Sequence, residues 1–585
     1  MRLPLSPDTT HRLLLLVVLI VAAFLRFWNL KWNLPATLHP DEHIFVLHAL
    51  RFGTGDLNPH FFLYGSLLMY LSFLGYGVYF VVGRLFGLFS SMEFFAIQYF
   101  LDPTWFFLIP RLISAAAGTG TVWLLYVLGR RIGSPHAGLF AAAAMALYGD
   151  HVRESHYGLS AVLGAFLVTT VFVTMLGPDR QYVVSKSRLF SAGVLAGLAV
   201  SAHMLGGIAA VILCIWILWQ SRTEPITAFR SLTTAALGGA IGFFLGEPFF
   251  FLDFPNAYRQ LFSSASSLFT TVYRTEEAAA FDTFVLQDVR TSLGWLGGTL
   301  AVGGAVLAVR RRLVVARILL AVAVLYIFFL SFRGYAPSRY ILMIVPIMCL
   351  FFGIGAAETF AQLRARTRLP GGIVLAALAL TLMAEPAVQA SRIVRSFGAP
   401  DTRVLAQRWI YENVPAGSRL LVEGPDANLP RLLENAERLN DLKVAAASAG
   451  AGRTGRYKDL DKYFRYKALA AKKTREPTYW ILRLKRPWWS SSEAQKEAGI
   501  LNELTPPTAH VGTESIDYYQ KEQGIEYFVN TNRELRTFDN PRFPSAQRFY
   551  ADLRTYGKLL HVQEPGLGIV GPSVLIWRIN NAKVP

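Results

Sequence analysis

The sequence predicts a polytopic α-helical membrane protein with about 11 transmembrane helices, one further re-entrant or interfacial helix, and a C-terminal extracytoplasmic α/β domain. Three observations predict it. The 585 residues are 53% hydrophobic and only 16% charged, too apolar for a soluble chain of this length. Apolar runs near the length that a bilayer requires recur from residue 12 to residue 388. Beyond about residue 390 the charge density rises and short strand-like runs replace the long apolar ones. The expected domains are therefore 1–390 in the membrane and 391–585 outside it.

The first run, LLLLVVLIVAAFLRFW from Leu13 to Trp28, follows Arg2, His11 and Arg12. No small-x-small cleavage pattern comes after it, so it reads as a spanning helix rather than a signal peptide. Further spans are expected over 107–128, 137–149, 158–177, 189–203, 204–220, 231–252, 292–309, 314–332, 339–357 and 370–388. Lys and Arg collect in cytoplasmic loops, and this rule decides the awkward stretch 61–88. If it does not cross, Arg130-Arg131, Arg180 to Arg188, Arg222 to Arg230, Arg310-Arg311-Arg312 with Arg317, and Arg364 to Arg368 all face the cytoplasm. If it crosses, Arg130-Arg131 faces out and every later loop changes side. The stretch is therefore expected to lie re-entrant or along the outer face, where Phe61, Phe62, Tyr64 and Tyr70 suit the interface.

The same clusters explain the formal net charge of +18 by topology and anionic lipid, with no nucleic-acid partner. Cys214 and Cys349 both sit in apolar runs, which argues against a disulfide or a Cys-ligated metal. In the C-terminal block, RLLVEG (Arg419 to Gly424), YWILRL (Tyr479 to Leu484), IEYFVN (Ile525 to Asn530) and VLIWRI (Val574 to Ile579) read as strands. TRVLAQRWIYENV reads as a helix closed by Pro415 and Gly417. The basic stretch Lys462 to Arg475 and the pair Trp488-Trp489 could lie against an anionic membrane surface, or be an ordinary solvated helix.

Four polar stretches then face one compartment. LHPDEH places His39, Asp41, Glu42 and His43 just after the first span. Asp41 and Glu42 could act as a general base, ligate a metal, or simply complement the dipole of the helix HIFVLHALRF. NPHFFLYGS adds Asn58, His60 and Tyr64, and the turn GDHVRESHY adds Asp150, His151, Arg153, Glu154 and His156. RGYAPSRY brings Arg333, Arg339 and Tyr340, whose arginines could snorkel to headgroups or bind phosphate. Acids, imidazoles and arginines gathered at one membrane face describe a site for acid–base chemistry on an anionic lipid-linked substrate.

At HPDEH, NPHFFLYGSLLMYL, HVRESHY and PSRYILMIVP the sequence resembles the polyprenyl-phosphate-dependent glycosyltransferases of the GT-C fold. The resemblance is to the bacterial relatives of the protein O-mannosyltransferases and of the lipid A aminoarabinose transferase, and it extends to the C-terminal block. It implies a multi-pass enzyme of the plasma (inner) membrane, with active site and C-terminal domain extracytoplasmic. Such an enzyme moves a hexosyl or pentosyl group from a polyprenyl-phosphate donor to a glycan, lipid or protein acceptor, with inversion. Asp41 would be the general base with Glu42 beside it, and Arg153, Arg333 or Arg339 would hold the phosphate. His39, His43, Asn58, His60, Tyr64, His156 and Tyr340 would complete the substrate contacts.

Two departures from the family pattern stand out. Relatives often carry a second Asp after a segment like SHY, whereas Ser155 to Ala161 holds no acid, so that either Glu154 or Asp150 takes that role or the site works with fewer acids. Relatives also often have Lys where His203 stands. Some members bind a divalent metal, for which Glu42, His43 and His156 are the candidate ligands, although no spacing demands one and no other cofactor is expected. Two other classes are a lipid-linked sugar transporter, which should carry polar groups at the bilayer midplane, and a non-catalytic envelope assembly protein.

Overall fold

The computed structural model describes residues 7–177, 185–270, 288–331, 338–424, 428–448, 460–485, 510–511 and 515–579 without 540 and 542. Arg333 and Trp488-Trp489 lie outside the described residues. By packing, the chain divides into two compact units. One comprises Met1–Leu30, Phe61–Ser72 and Ile109–Arg395, the other Lys31–His60, Phe73–Leu108 and Ser396–Pro585.

The helices follow the apolar runs. They are α1 Pro7–Phe27, α2 Glu42–Arg51, α3 Leu67–Leu85, α4 Met92–Leu101, α5 Thr104–Ile132, α6 Pro135–Leu147, α7 Gly149–Glu154, α8 Ser160–Met175 and α9 Lys186–Ala202. Then come α10 Ile208–Gln220, α11 Pro225–Gly246, α12 Phe249–Leu252, α13 Phe254–Thr270, α14 Asp288–Arg310, α15 Val314–Ser331, α16 Val345–Arg366 and α17 Gly371–Phe397. Among the described residues eight of these (α1, α3, α5, α11, α14, α15, α16 and α17) are long and apolar enough to cross a membrane. The chain is a multi-pass membrane protein. The other expected spans correspond to α6, α8, α9 and α10, which are 13 to 17 residues long. Side-chain caps set several starts: Ser134 before Pro135 on α6 and Ser185 on α9 each accept a backbone N–H of the first turn.

Within the first unit, α9 and α11 pack backbone against backbone. A Cβ at Gly197 would stand 2.1 Å from the Gly239 carbonyl oxygen, and one at Gly242 would stand 2.0 Å from that of Val194. Small residues at such a crossing let dispersion contacts form between helices that gain nothing from excluding water in lipid.

The second unit is built on a seven-stranded sheet. Its strands are β1 Arg419–Glu423, β2 Leu433–Glu434, β3 Thr478–Lys485, β4 His510–Val511, β5 Tyr527–Thr531, β6 Gly557–Gln563 and β7 Val574–Ile579. The order is β2-β3-β1-β5-β7-β6, with β4 also on β3. The pairs β1-β3, β1-β5, β2-β3 and β3-β4 are parallel, and β5-β7 and β6-β7 are antiparallel. All four runs read as strands are strands. The short period-2 alternation of each buries opposite faces: Leu421 and Phe528 pack with Tyr519 and Phe549 on one side, while Leu420, Val422 and Val529 pack with Ala406 and Ile410 on the other. The helix α18 Thr402–Asn413 supplies Ala406 and Ile410, and Gly417 turns the chain after it with φ +85°.

Both flanks of α3 pack against this sheet domain. Before α3, Asn33 Nδ2 donates to Asp401 Oδ2 at 3.4 Å, and the Trp32 ring lies 5.2 Å from that of Phe397. After α3, the helix α4 meets α20 Leu460–Lys473, α19 being Ala436–Ser448. Glu93 pairs with Arg465 at 2.7 Å, Lys473 stands over the Phe94 ring, and Phe100 meets Tyr463. Part of the basic stretch 462–475 is thus engaged on α4.

Candidate active site

The two units hold different parts of the predicted site, and each part has its own local geometry. In the second unit, the residue at the start of α2 is Asp41 with φ −86° and ψ −18°, and its carboxylate makes no capping hydrogen bond. Helix capping therefore does not account for an acid at this position. The Asp41 N–H donates to His39 Nδ1 at 3.2 Å, which ties the two polar residues of HPDEH together. Glu42 is fully buried in the first turn of α2. His43 Nε2 lies 3.0 Å from the Thr37 carbonyl oxygen, and its ring meets Phe107 edge-on. Burial lowers the affinity of the His43 ring for a proton, partly offset by that carbonyl and by Glu42.

Asn58 and His60 form a compact turn with Asp56. The Asn58 N–H donates to Asp56 Oδ1, Asn58 Oδ1 accepts from the His60 N–H, and His60 Nε2 lies 2.9 Å from Asp56 Oδ2. His60 takes φ +53°, a left-handed conformation that this hydrogen-bonded turn holds in place.

In the first unit, the turn around α7 and the segment Ser338–Met343 meet through Arg153. Its guanidinium lies 2.9 Å from Asp150 Oδ1 and 3.4 Å from Glu154 Oε1, and it donates to Ser338 Oγ at 2.7 Å. Arg339 adds a second positive charge felt at Glu154. Burial nevertheless pushes the Glu154 carboxyl above its ordinary range, against the pull of these two arginines. Asp150 Oδ2 and Glu154 Oε2 are buried without hydrogen-bond partners among the described residues. Two acids and two arginines are thus gathered by sequence stretches 185 positions apart at the Arg153–Ser338 contact.

His156 is held by backbone. Its Nδ1 and Nε2 lie 2.8 and 3.0 Å from the carbonyl oxygens of Val152 and Trp28, and burial holds its pKa down at about 4. Tyr340 accepts at its carbonyl from the Tyr326 hydroxyl, and its ring lies 5.9 Å from that of His203. Tyr64 packs against Phe61. Among the described residues no three His, Cys, Asp or Glu side chains gather as a metal site. With both His156 nitrogens facing carbonyls and His43 Nε2 on Thr37, the candidate donor set does not fit a bound divalent metal.

Three buried charges escaped the sequence reading. Arg26, inside α1, donates to the carbonyls of Ala22, Met145 and Ala146 and to His151 Nδ1. Arg111 donates to the Leu30 carbonyl. Glu247, just past α11, accepts from Ser66 Oγ at 3.4 Å.

Residues 72–245 match the model of the family described as dolichyl-phosphate-mannose-protein mannosyltransferase. Among curated proteins, none matches the chain. Among solved structures, the chain is similar to ArnT from Cupriavidus metallidurans bound to undecaprenyl phosphate. The identity is 14% and the TM-score 0.53, over 97% of this chain and 98% of that one. The same protein in its apo state gives 15% identity and a TM-score of 0.55, covering 98% of both chains. The chain has the GT-C fold. Its GT-C architecture, several apolar helices followed by a C-terminal sheet domain, spans nearly the full length of both partners in the comparison.

Proposed function

We propose that this GT-C protein is a membrane glycosyltransferase that takes a sugar from a polyprenyl-phosphate donor and places it on an acceptor hydroxyl at the outer face of the plasma (inner) membrane. The family-model match over residues 72–245 carries the reading. A lipid phosphate is a good leaving group, so the enzyme needs chiefly a base for the acceptor and cations for the departing charge. Asp41, unused for capping, takes the acceptor hydroxyl proton. The acceptor oxygen attacks the anomeric carbon from the face opposite the phosphate. As that bond forms, the carbon–oxygen bond to phosphate breaks, its electron pair goes to the phosphate oxygen, and the configuration inverts. Arg153 and Arg339, already grouped around Glu154, receive the growing negative charge, and Glu154 takes the role of the second acid.

The outward placement of this chemistry is supported by the flanks of α3. Residues on both sides of that helix touch the sheet domain, as a stretch that dips into the membrane without crossing it would require.

The test supplies the protein in nanodiscs with a panel of polyprenyl-phosphate sugars and an envelope acceptor fraction, and follows free polyprenyl phosphate. Release from one donor is expected. Silence toward every donor would overturn the transferase reading.

A further inference from the structure

Within the second unit lies a cavity of about 180 Å³, several times the ~30 Å³ share of one liquid water. Its wall carries Arg431, Lys467 and Arg483 and only one acid, Glu434. Glu434 is shared: Lys467 Nζ stands 3.0 Å from its Oε2 and Arg483 3.5 Å from its Oε1. Burial works against the Lys467 charge, but Glu434 more than compensates and holds the ammonium protonated. Arg483 is cationic as well, since burial brings its pKa down only to about 10. Arg431 donates to the Phe100 carbonyl and, among the described residues, has no carboxylate partner. Its positive charge is felt at Lys467 and at His43, which also lines the cavity and whose protonation burial disfavours.

Among the described lining residues, the pocket gathers three cations around one acid. A cation without a carboxylate partner is costly in a partly desolvated site, and Arg431, with Lys467 and Arg483 beside it, suits the charge of about −1.5 to −2 on a phosphate monoester. The remaining wall is aromatic, with Tyr99, Phe100, Phe107 and Tyr463 offering ring faces and edges to a sugar. Thr37 and His43 place the cavity beside the chain that continues directly into Asp41 and Glu42.

From this geometry we infer that the pocket is an anchoring subsite for a phosphate monoester carried by the acceptor, bound by Arg431, Lys467 and Arg483 at a position separate from the hydroxyl that is glycosylated. Only the word acceptor rests on the transferase reading; the anion-binding chemistry stands without it.

Binding can be read without turnover. The full-length chain in phosphatidylcholine nanodiscs is titrated calorimetrically with glucose 6-phosphate, glucose and inorganic phosphate. Glucose 6-phosphate is expected to bind at least tenfold more tightly than either of the others. Arg431→Gln should weaken it tenfold or more with no change in thermal midpoint, and Arg431→Lys should restore part of the affinity. Doping the discs with phosphatidic acid separates two sources of the same group: competition assigns the monoester to a lipid headgroup, and no competition to a glycan. Equal binding by Arg431→Gln, or equal response to glucose, overturns the subsite. A response to inorganic phosphate as strong as to the sugar phosphate reduces it to an adventitious ion only. If donor cleavage fails while glucose 6-phosphate binding holds, the transferase reading falls and the subsite stands.

Discussion

Asp41→Asn is expected to release polyprenyl phosphate about 10²- to 10⁴-fold more slowly than the wild type, the range that a positioned general base contributes. The substitution keeps the size of the side chain and removes its basicity. Since Asp41 makes no capping hydrogen bond at the start of α2, the helix loses no cap, and the thermal midpoint reads any other structural role separately. The two readouts together separate catalysis from folding. Equal release by both proteins would remove Asp41 from the reaction, and a large fall in the midpoint would give it a structural role instead.

The second large effect is expected at Arg153. Arg153→Met leaves the Asp150 and Glu154 carboxylates, each with a side chain 7% exposed, without their nearest positive charge. Removing one member of a buried ion pair typically costs about 3–5 kcal/mol. A third of the Arg153 side chain is exposed, so solvent screening places the loss at or below the lower end of that range. The loss has a definite pH dependence. Burial already pushes the Glu154 carboxyl upward, and removing Arg153 pushes it further. A carboxyl with a raised folded pKa is tolerated when protonated and becomes a burden as pH rises. The variant should therefore melt furthest below the wild type at alkaline pH and approach it toward pH 5, and adding Glu154→Gln should recover part of the difference. A deficit independent of pH would point to lost packing of the Arg153 stem rather than to stranded charge.

The parts of the fold that could be read from sequence are those whose signal is periodic. Strands β1, β3, β5 and β7 show short runs of β-branched and aromatic residues, and the long apolar helices announce themselves by length. The two-residue strands β2 and β4 carry no period at all, and β6, GKLLHVQ, is half exposed on the sheet edge and mixes polar with apolar residues. For the candidate site, Asp41, Arg153 and Glu154 could be nominated from sequence because they cluster in polar stretches. Arg26, Arg111 and Glu247 could not, because each is a lone charge in apolar surroundings whose described partners are mostly backbone carbonyls, with His151 for Arg26 and Ser66 for Glu247 far away in sequence. A carbonyl acceptor leaves no trace in residue type. The close approach of α9 to α11 had a trace, the spaced glycines Gly193, Gly197, Gly238 and Gly242, but glycine spacing in an apolar run becomes meaningful only once the facing helix is known.

The packing of residues 31–60 and 73–108 with the sheet domain also sets a clock on biogenesis. Residues 109–395 are synthesised between those early segments and their partners, an interval of roughly 15–60 s at about 5–20 residues per second. Throughout it, the segment bearing Asp41 and the helix α4 are on the ribosome-bound chain without the surface that Asp401, Arg465 and Tyr463 will provide. The segment bearing Asp41 thus reaches its described packing only after the last third of the chain has been made. A chain that terminates early keeps its apolar helices and leaves residues 31–60 and 73–108 without the surface they pack on.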